Sequence, residues 1–283
     1  MATITPPKTF SLPSEKNVPS DSLSDYSILL YGAKKIGKTS FASQFPNALF
    51  LSTEPGTKAL SVYSVNVGDW ADFLGYIKAL ETGKQKYGTV IVDTVDLAYE
   101  ACFQSVCRKE GITHPQDLAY GKGWNMVLTT FRNAIMRLFH LPGNPGVVFI
   151  SHDTEKEFED REGRKFDRIQ PTMPKQALGV VEALVDLIIS YQYDGRKRIA
   201  KILGDETIVA GCRLQEDGLR FMAKDGAPVE SIPMGSSSQE AFQNFIQAFN
   251  NKQETATGEE EKPTPKKQTK TLPTTTGKKI RFG

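Results

Sequence analysis

Residues 27–39 read Ser27-Ile-Leu-Leu-Tyr31-Gly32-Ala33-Lys34-Lys35-Ile36-Gly37-Lys38-Thr39, an apolar run of strand length, a glycine-bounded loop, and Lys-Thr leading into the helix-compatible stretch Ser40 to Phe45. The loop matches G-x-x-x-x-G-K-[ST]. A strand before it and a helix after it are the context that makes such a match a phosphate-binding P-loop rather than a chance glycine turn. The glycines let backbone N–H groups wrap phosphates, and the new helix aims the positive end of its dipole at them. Gly32, Ala33, Lys34, Lys35, Ile36, Gly37, Lys38, Thr39 and Ser40 are therefore the expected nucleotide cradle. Lys38 is expected to reach the β- and γ-phosphates of ATP, and the Thr39 hydroxyl to ligate Mg²⁺.

Moving outward, short apolar runs recur at 48–52, 89–93 and 146–151, alternating with helical-looking stretches around 38–45, 69–82, 95–109, 124–140 and 174–184. Strands that are apolar throughout are buried on both faces, which predicts an α/β fold with a mostly parallel sheet flanked by helices. Later runs at 187–191, 196–203 and 207–213, the last two joined by Gly204-Asp205, are expected to add antiparallel strands, because so short a connection cannot make a parallel crossover. Ser237 to Glu240 reads S-x-x-E, a capping box opening an amphipathic helix over 241–249.

The boundaries follow from composition. Four prolines (Pro6, Pro7, Pro13, Pro19) mark 1–25 as an extended arm, 26–250 as the nucleotide-binding domain, and 251–283 as a disordered basic tail. The formal charge of +2 conceals a segregation: the tail holds eight Lys/Arg and four Asp/Glu, which leaves 27 basic and 29 acidic residues in 1–250. That balance argues against a body built as a basic nucleic-acid binder. Cys102, Cys107 and Cys212 are too few for a disulfide framework, and no further pair completes a zinc-ligand pattern with His114. No run approaches the roughly 20 apolar residues of a membrane span, and the first residues lack the basic-then-apolar layout of a signal peptide, so no membrane association and a cytoplasmic location are expected.

Four further residues bear on the chemistry. Thr89-Val-Ile-Val-Asp93 ends an apolar strand in a carboxylate, the layout of a Walker B segment, and Asp93 is expected on Mg²⁺. Asp96, three residues on, is expected to cap the next helix, the alternative being support of the metal shell. Glu54 ends the strand after the P-loop helix in Ser52-Thr-Glu54-Pro-Gly56. A carboxylate at the C-terminal edge of a parallel strand sits where it could orient or deprotonate the water that attacks the γ-phosphate, although a loop glutamate beside Pro-Gly looks the same. His152, at the end of the 146–151 strand, could donate to the γ-phosphate, with a structural histidine as the plainer reading. A GTPase is disfavoured, because Asp93 is followed by Thr-Val-Asp rather than D-x-x-G, and the sole Asn-Lys (251–252) precedes Gln-Glu.

P-loop, strand-end glutamate, strand-end aspartate and strand-end polar residue, in this order, resemble the RecA-like ATPase core. Tyr31-Gly32, Thr53-Glu-Pro-Gly56, Tyr120-Gly-Lys-Gly-Trp124 and Ile150-Ser-His152 look like the short phage-encoded RecA-like nucleotide-binding proteins, some of which are single-strand annealing ATPases. The resemblance covers roughly residues 26–215. It implies ATP hydrolysis by Glu54, Lys38 and His152, a homo-oligomeric ring or filament, and action on single-stranded DNA, with a single-strand-binding protein as a further partner. It also implies DNA-facing loops at 110–124, with Gly111, His114, Lys122 and Trp124, and at 153–171, with Arg164, Lys165 and Arg168. Trp124 and Phe166 could stack on bases, with a core position at the start of its helix as the plainer reading of Trp124. The second loop carries seven acidic against five basic residues, the wrong balance for phosphate, and a solvated mobile loop or hairpin is the competing reading. A cation completing a neighbouring subunit's site is implied as well, with Arg198, Lys201 and Arg213 as candidates. Two other readings compete: a loader or packaging ATPase acting on a protein partner, and a switch with little turnover.

Overall fold

The structure, a computed structural model, describes residues 12–84 and 87–253. The expected tail from 254 onward and the first eleven residues of the expected arm lie outside the described residues. Ten strands and six helices make up the described fold. The strands are β1 (Ile28–Gly32), β2 (Ala48–Ser52), β3 (Tyr63–Asn66), β4 (Thr89–Asp93), β5 (Gly146–Glu159), β6 (Lys165–Pro171), β7 (Leu187–Asp194), β8 (Lys197–Lys201), β9 (Gly211–Cys212) and β10 (Ser231–Pro233). The helices are α1 (Lys38–Ala42), α2 (Trp70–Thr82), α3 (Val95–Glu110), α4 (Lys122–Leu138), α5 (Lys175–Leu184) and α6 (Ser238–Phe249).

The sheet order is β10-β8-β7-β1-β5-β4-β2-β3, with β6 paired to β5 and β9 to β7. The inner strands β7, β1, β5, β4, β2 and β3 are mutually parallel, while β8, β9 and β10 are antiparallel additions. The apolar runs are continuous because both faces are covered. Leu30, Phe50, Ile91, Ile150 and Tyr191 pack under α1 and α6 on one face. Leu29, Leu51, Val92 and Phe149 pack under α2 to α5 on the other. Alternate residues of each strand thus feed opposite cores, the period of two that a pleated strand imposes.

Sequence and structure part in three places. β3 is an extra strand, short and largely exposed, whose residues carry no apolar run. β5 does not stop at His152 but runs on to Glu159 and turns back as β6, so 153–171 is a hairpin with Phe158 opposite Phe166. Residues 196–203 and 207–213 do add antiparallel strands, but they pair with β7 and not with each other. β8 and β9 both lie beside β7, and residues 202–210 bulge out between them to meet β6, where the Ile169 amide donates to the Thr207 carbonyl at 2.7 Å.

Helix boundaries fall close to those expected, and the physical devices are visible. Asp69 caps α2 by accepting from the Asp72 amide, and Ser237 caps α6 by accepting from the Glu240 amide. The Glu240 carboxylate accepts from Ser236 instead of completing the box. Late residues are integral to the core: Phe245 meets Phe41 of α1 at 5.4 Å and Phe221 at 5.4 Å, ring centre to ring centre. Phe245 is fully buried, so Phe245→Ala should lower stability by about 3–5 kcal/mol. A reduced denaturant midpoint checks this; an unchanged midpoint would mean that α6 is not part of the core that carries the P-loop.

Candidate active site

Parallel pairing in register brings the ends of β1, β2 and β4 level with His152 of β5 and Tyr191 of β7 at one edge. Gly32 lies opposite both His152 and Tyr191, and Asp93 lies opposite Ser52 on one side and Ile150 on the other. The ends of β2 and β4 are also zipped together by side chains. The Thr53 amide donates to the Asp93 carbonyl, and the Thr53 hydroxyl donates to the Thr94 carbonyl at 3.0 Å and accepts from the Thr94 amide at 2.8 Å. Glu54 is thereby held beside Asp93. Crevices at the carboxyl ends of such strands are where α/β sheets bind ligands.

The P-loop leaves β1 at Gly32, where a Cβ would stand 2.0 Å from the Tyr191 carbonyl oxygen, so only glycine fits. Ile36 is buried and anchors the loop from below. Gly37, at φ 113°, takes the left-handed turn into α1, a conformation that favours glycine. Lys38 is almost wholly buried. Its ammonium donates to the carbonyls of Gly32 at 2.6 Å and Ala33 at 2.9 Å. Burial pulls its pKa below the usual lysine value, opposed by Asp153, Asp93, Asp96 and Glu54 around it.

The Thr39 hydroxyl donates to Asp93 Oδ2 at 2.8 Å. Burial pushes the Asp93 carboxyl above its ordinary range, with the Thr39 bond pulling it back. One hydroxyl and one carboxylate, both oxygen donors, face a cavity of about 650 Å³ that Lys34, Lys38, Ser40, Glu54, Gly56 and His152 also line. This donor set fits Mg²⁺, which keeps most of its shell as water and substrate phosphate and needs few protein ligands. Gly56 keeps the approach open: a Cβ there would sit 3.7 Å from Asp93 Oδ2 and 3.8 Å from Thr39 Oγ1. The same cavity, with the loop amides and Lys38 on its wall, fits a triphosphate.

His152 joins the two halves of the site. Its Nδ1 lies 3.4 Å from Lys38 Nζ and its Nε2 lies 3.2 Å from Glu54 Oε1. Thr94, which sequence reading passed over, donates its hydroxyl to the same Glu54 oxygen at 3.2 Å. The three residues expected to act on ATP thus form one continuous line, with Glu54 still a third exposed. Position after Asp93 is the one signal that could have singled out Thr94.

Asp96 corrects an expectation. Thr94 occupies the N-cap position of α3, and Asp96 lies in the first turn. Its Oδ1 accepts from Ser151 of β5 at 2.9 Å and from Thr172, just past β6, at 2.6 Å. The carboxylate is engaged by two hydroxyls that converge on it from the strand side. Burial raises its pKa.

The remaining candidates scatter. Lys122 opens α4 and is exposed, next to a fully exposed Tyr120. Trp124 and His114 lie edge to face at 5.4 Å, against Phe103. On the hairpin, Arg164 pairs with Asp160 and Glu206, and Lys165 with Glu157. Arg168 lies 4.9 Å and 5.3 Å from the ring centres of Phe158 and Phe166, whose rings stack on each other. Lys201 pairs with Asp205, and Arg213 donates to the Ala183 carbonyl. Arg198 alone of the three late cations reaches a P-loop, and it is that of its own chain, donating to the Ile36 carbonyl at 3.4 Å.

Residues 24–214 match the AAA domain family. The chain is also similar to the SPbeta prophage-derived uncharacterized protein YorG of Bacillus subtilis (strain 168), 28% identical over 182 residues, which cover 62% of this chain and 53% of that protein. The chain therefore spans about half the length of this curated relative. No helix among the described residues is long and apolar enough to cross a membrane. With a family match over most of the chain, and a P-loop, a hydroxyl-carboxylate pair and a strand-edge glutamate in one cavity, the chain belongs to the AAA domain family of P-loop ATPases.

Proposed function

We infer that this protein is a Mg²⁺-dependent ATPase of RecA-like type, phage-associated, that binds single-stranded DNA and promotes annealing in recombination or repair. The observation that carries the ATPase reading is the line Lys38–His152–Glu54 set beside the Thr39–Asp93 pair. Lys38 and the loop amides hold the β- and γ-phosphates. Glu54, fixed by Thr94 and partly open to solvent, orients a water and accepts its proton. His152 lies between the phosphate-binding lysine and the base, where it contacts the transferred group and positions Glu54. Thr39 and Asp93 would hold Mg²⁺, which would supply charge neutralisation of the phosphates.

The DNA reading is supported by the RecA-like order of the motifs, by exposed Tyr120 on the bend before α4 and exposed Lys122 at its start, and by the prophage origin in the name of a relative. A second reading, an ATPase acting on a protein partner in phage replication, is favoured by the hairpin itself, where Arg164 and Lys165 are neutralised by Asp160, Glu206 and Glu157. A surface whose cations are already paired has little left for phosphate.

Lys38→Ala should weaken ATP binding about 10- to 100-fold, since it removes a charge-assisted partner of the phosphates, and should abolish turnover. Phosphate release at the wild-type rate contradicts the P-loop assignment. Glu54→Gln should leave ATP binding intact while turnover falls about 10²–10⁴-fold, the usual loss of a general base. Unchanged turnover moves the base elsewhere. Titrating the ATPase with single-stranded DNA separates the two partner readings: salt-sensitive binding and a changed rate support DNA, and indifference to DNA at low salt supports the protein partner.

A further inference from the structure

A second cavity, also of about 650 Å³, adjoins the phosphate site and shares Lys35, Gly37 and Ser40 with it. Its far wall is the β7–β8 hairpin and the segment after β10, contributed by Tyr193, Arg196, Lys197, Arg198, Gly235 and Ser236. Glu54, Asp93 and His152 all lie in the first cavity and none in the second. A nucleotide with its γ-phosphate toward Glu54 and Asp93 must leave the P-loop in the opposite direction, past Ser40. That direction leads under the hairpin.

The local geometry is specific. Tyr193 and Arg198 are directly opposed across the hairpin, so their side chains share a face, and Tyr191 lies on the same face two residues before. A Cβ on Gly37 would meet Arg198 Nη1 at 3.0 Å and the Tyr191 hydroxyl at 3.8 Å, which places this face against the second P-loop glycine. Arg198 is fastened from behind, its Nε and Nη2 donating to the Gly235 carbonyl at 3.2 Å and 2.9 Å. A guanidinium has five N–H donors. Two remain after these bonds and the one to Ile36. Tyr193 is 57% exposed, a large ring with its surface free in a cavity whose described lining includes four cations and no carboxylate.

We propose that this cavity holds the nucleoside end of the bound nucleotide, with Tyr193 stacking on the base and Arg198, from the same chain, facing the α-phosphate. The inference rests on the ATPase reading and adds to it the residues that distinguish a nucleotide from bare triphosphate. Arg198 then serves its own P-loop rather than a neighbour's.

Calorimetric titration with Mg-ATP and with Mg-tripolyphosphate, of the wild type, Tyr193→Ala and Tyr193→Phe, tests this. The wild type should bind ATP more tightly than tripolyphosphate. Tyr193→Ala should weaken ATP about 5- to 100-fold, the range for losing one base–aromatic stack, and leave tripolyphosphate affinity unchanged. Tyr193→Phe should retain ATP affinity. Unchanged tripolyphosphate binding also shows that the P-loop of the alanine variant is folded. Wild-type ATP affinity in Tyr193→Ala, or equal losses for both ligands, overturns the nucleoside subsite and leaves the ATPase reading standing. A wild type that binds neither ligand overturns both.

Discussion

Everything at this site depends on the in-register parallel pairing of β1 with β5, which fixes Gly32 opposite His152. Parallel strands ending level present their last side chains to one crevice, and a slip of one residue would turn each of them to the other face. On its other side β1 is held against β7 at both ends. At the start of β1, the Ser27 amide and hydroxyl both donate to Asp186 Oδ2, at 2.9 Å and 2.8 Å. At the other end, the Tyr191 carbonyl sits where any side chain on Gly32 would go. The lysine of the P-loop and the histidine of β5 meet because β1, fixed in this way, pairs in register with β5.

The same register ties the nucleotide site to the β5–β6 hairpin. The Thr172 amide donates to the His152 carbonyl at 2.9 Å, and the Thr172 hydroxyl reaches Asp96. Tyr31, the residue before the P-loop, donates its hydroxyl to the carbonyls of Val209 at 2.6 Å and Ile169 at 3.2 Å, so the hairpin base and the 202–210 bulge hang from the P-loop strand. Burial raises the Tyr31 phenol to about 12, so it stays a donor across the physiological range. The hairpin is thus an extension of the strand that carries His152, with its outer part free of the sheet. A shift at His152 has a direct backbone route to it.

On the opposite side, the segment beyond the AAA-family match completes the fold. Phe221, Phe245 and Phe249 pack into the core under α1, and Gly235 receives Arg198. A P-loop helix of only five residues has little stability of its own. Its position comes from the aromatic contacts of Phe41 with Tyr191 and Phe245. The late strands and α6 therefore do for α1 what the parallel sheet does for the loop.

The P-loop, Asp93 at the end of β4, and the parallel core were legible in the chain because each depends on local pattern: a glycine-bounded loop between strand and helix, and apolar runs; Glu54 was legible as a carboxylate at the sheet edge, although β2 stops at Ser52 and Glu54 lies in the bend just past it. The sequence by itself also placed most helices within a few residues, because caps and amphipathic stripes are local. What lay outside its reach required distant residues. β5 reads as ending at Ser151 because beyond that point it leaves the two-sided core, and a solvated hairpin needs no apolar run. Asp96 looks like a cap until Ser151 and Thr172 arrive from 55 and 76 residues away. Arg198 looks like any strand cation until the antiparallel return of β8 lays it against Ile36, 162 residues earlier in the chain. Hydrogen-bonding partners for buried polar groups are chosen by tertiary proximity, and only the folded sheet supplies that.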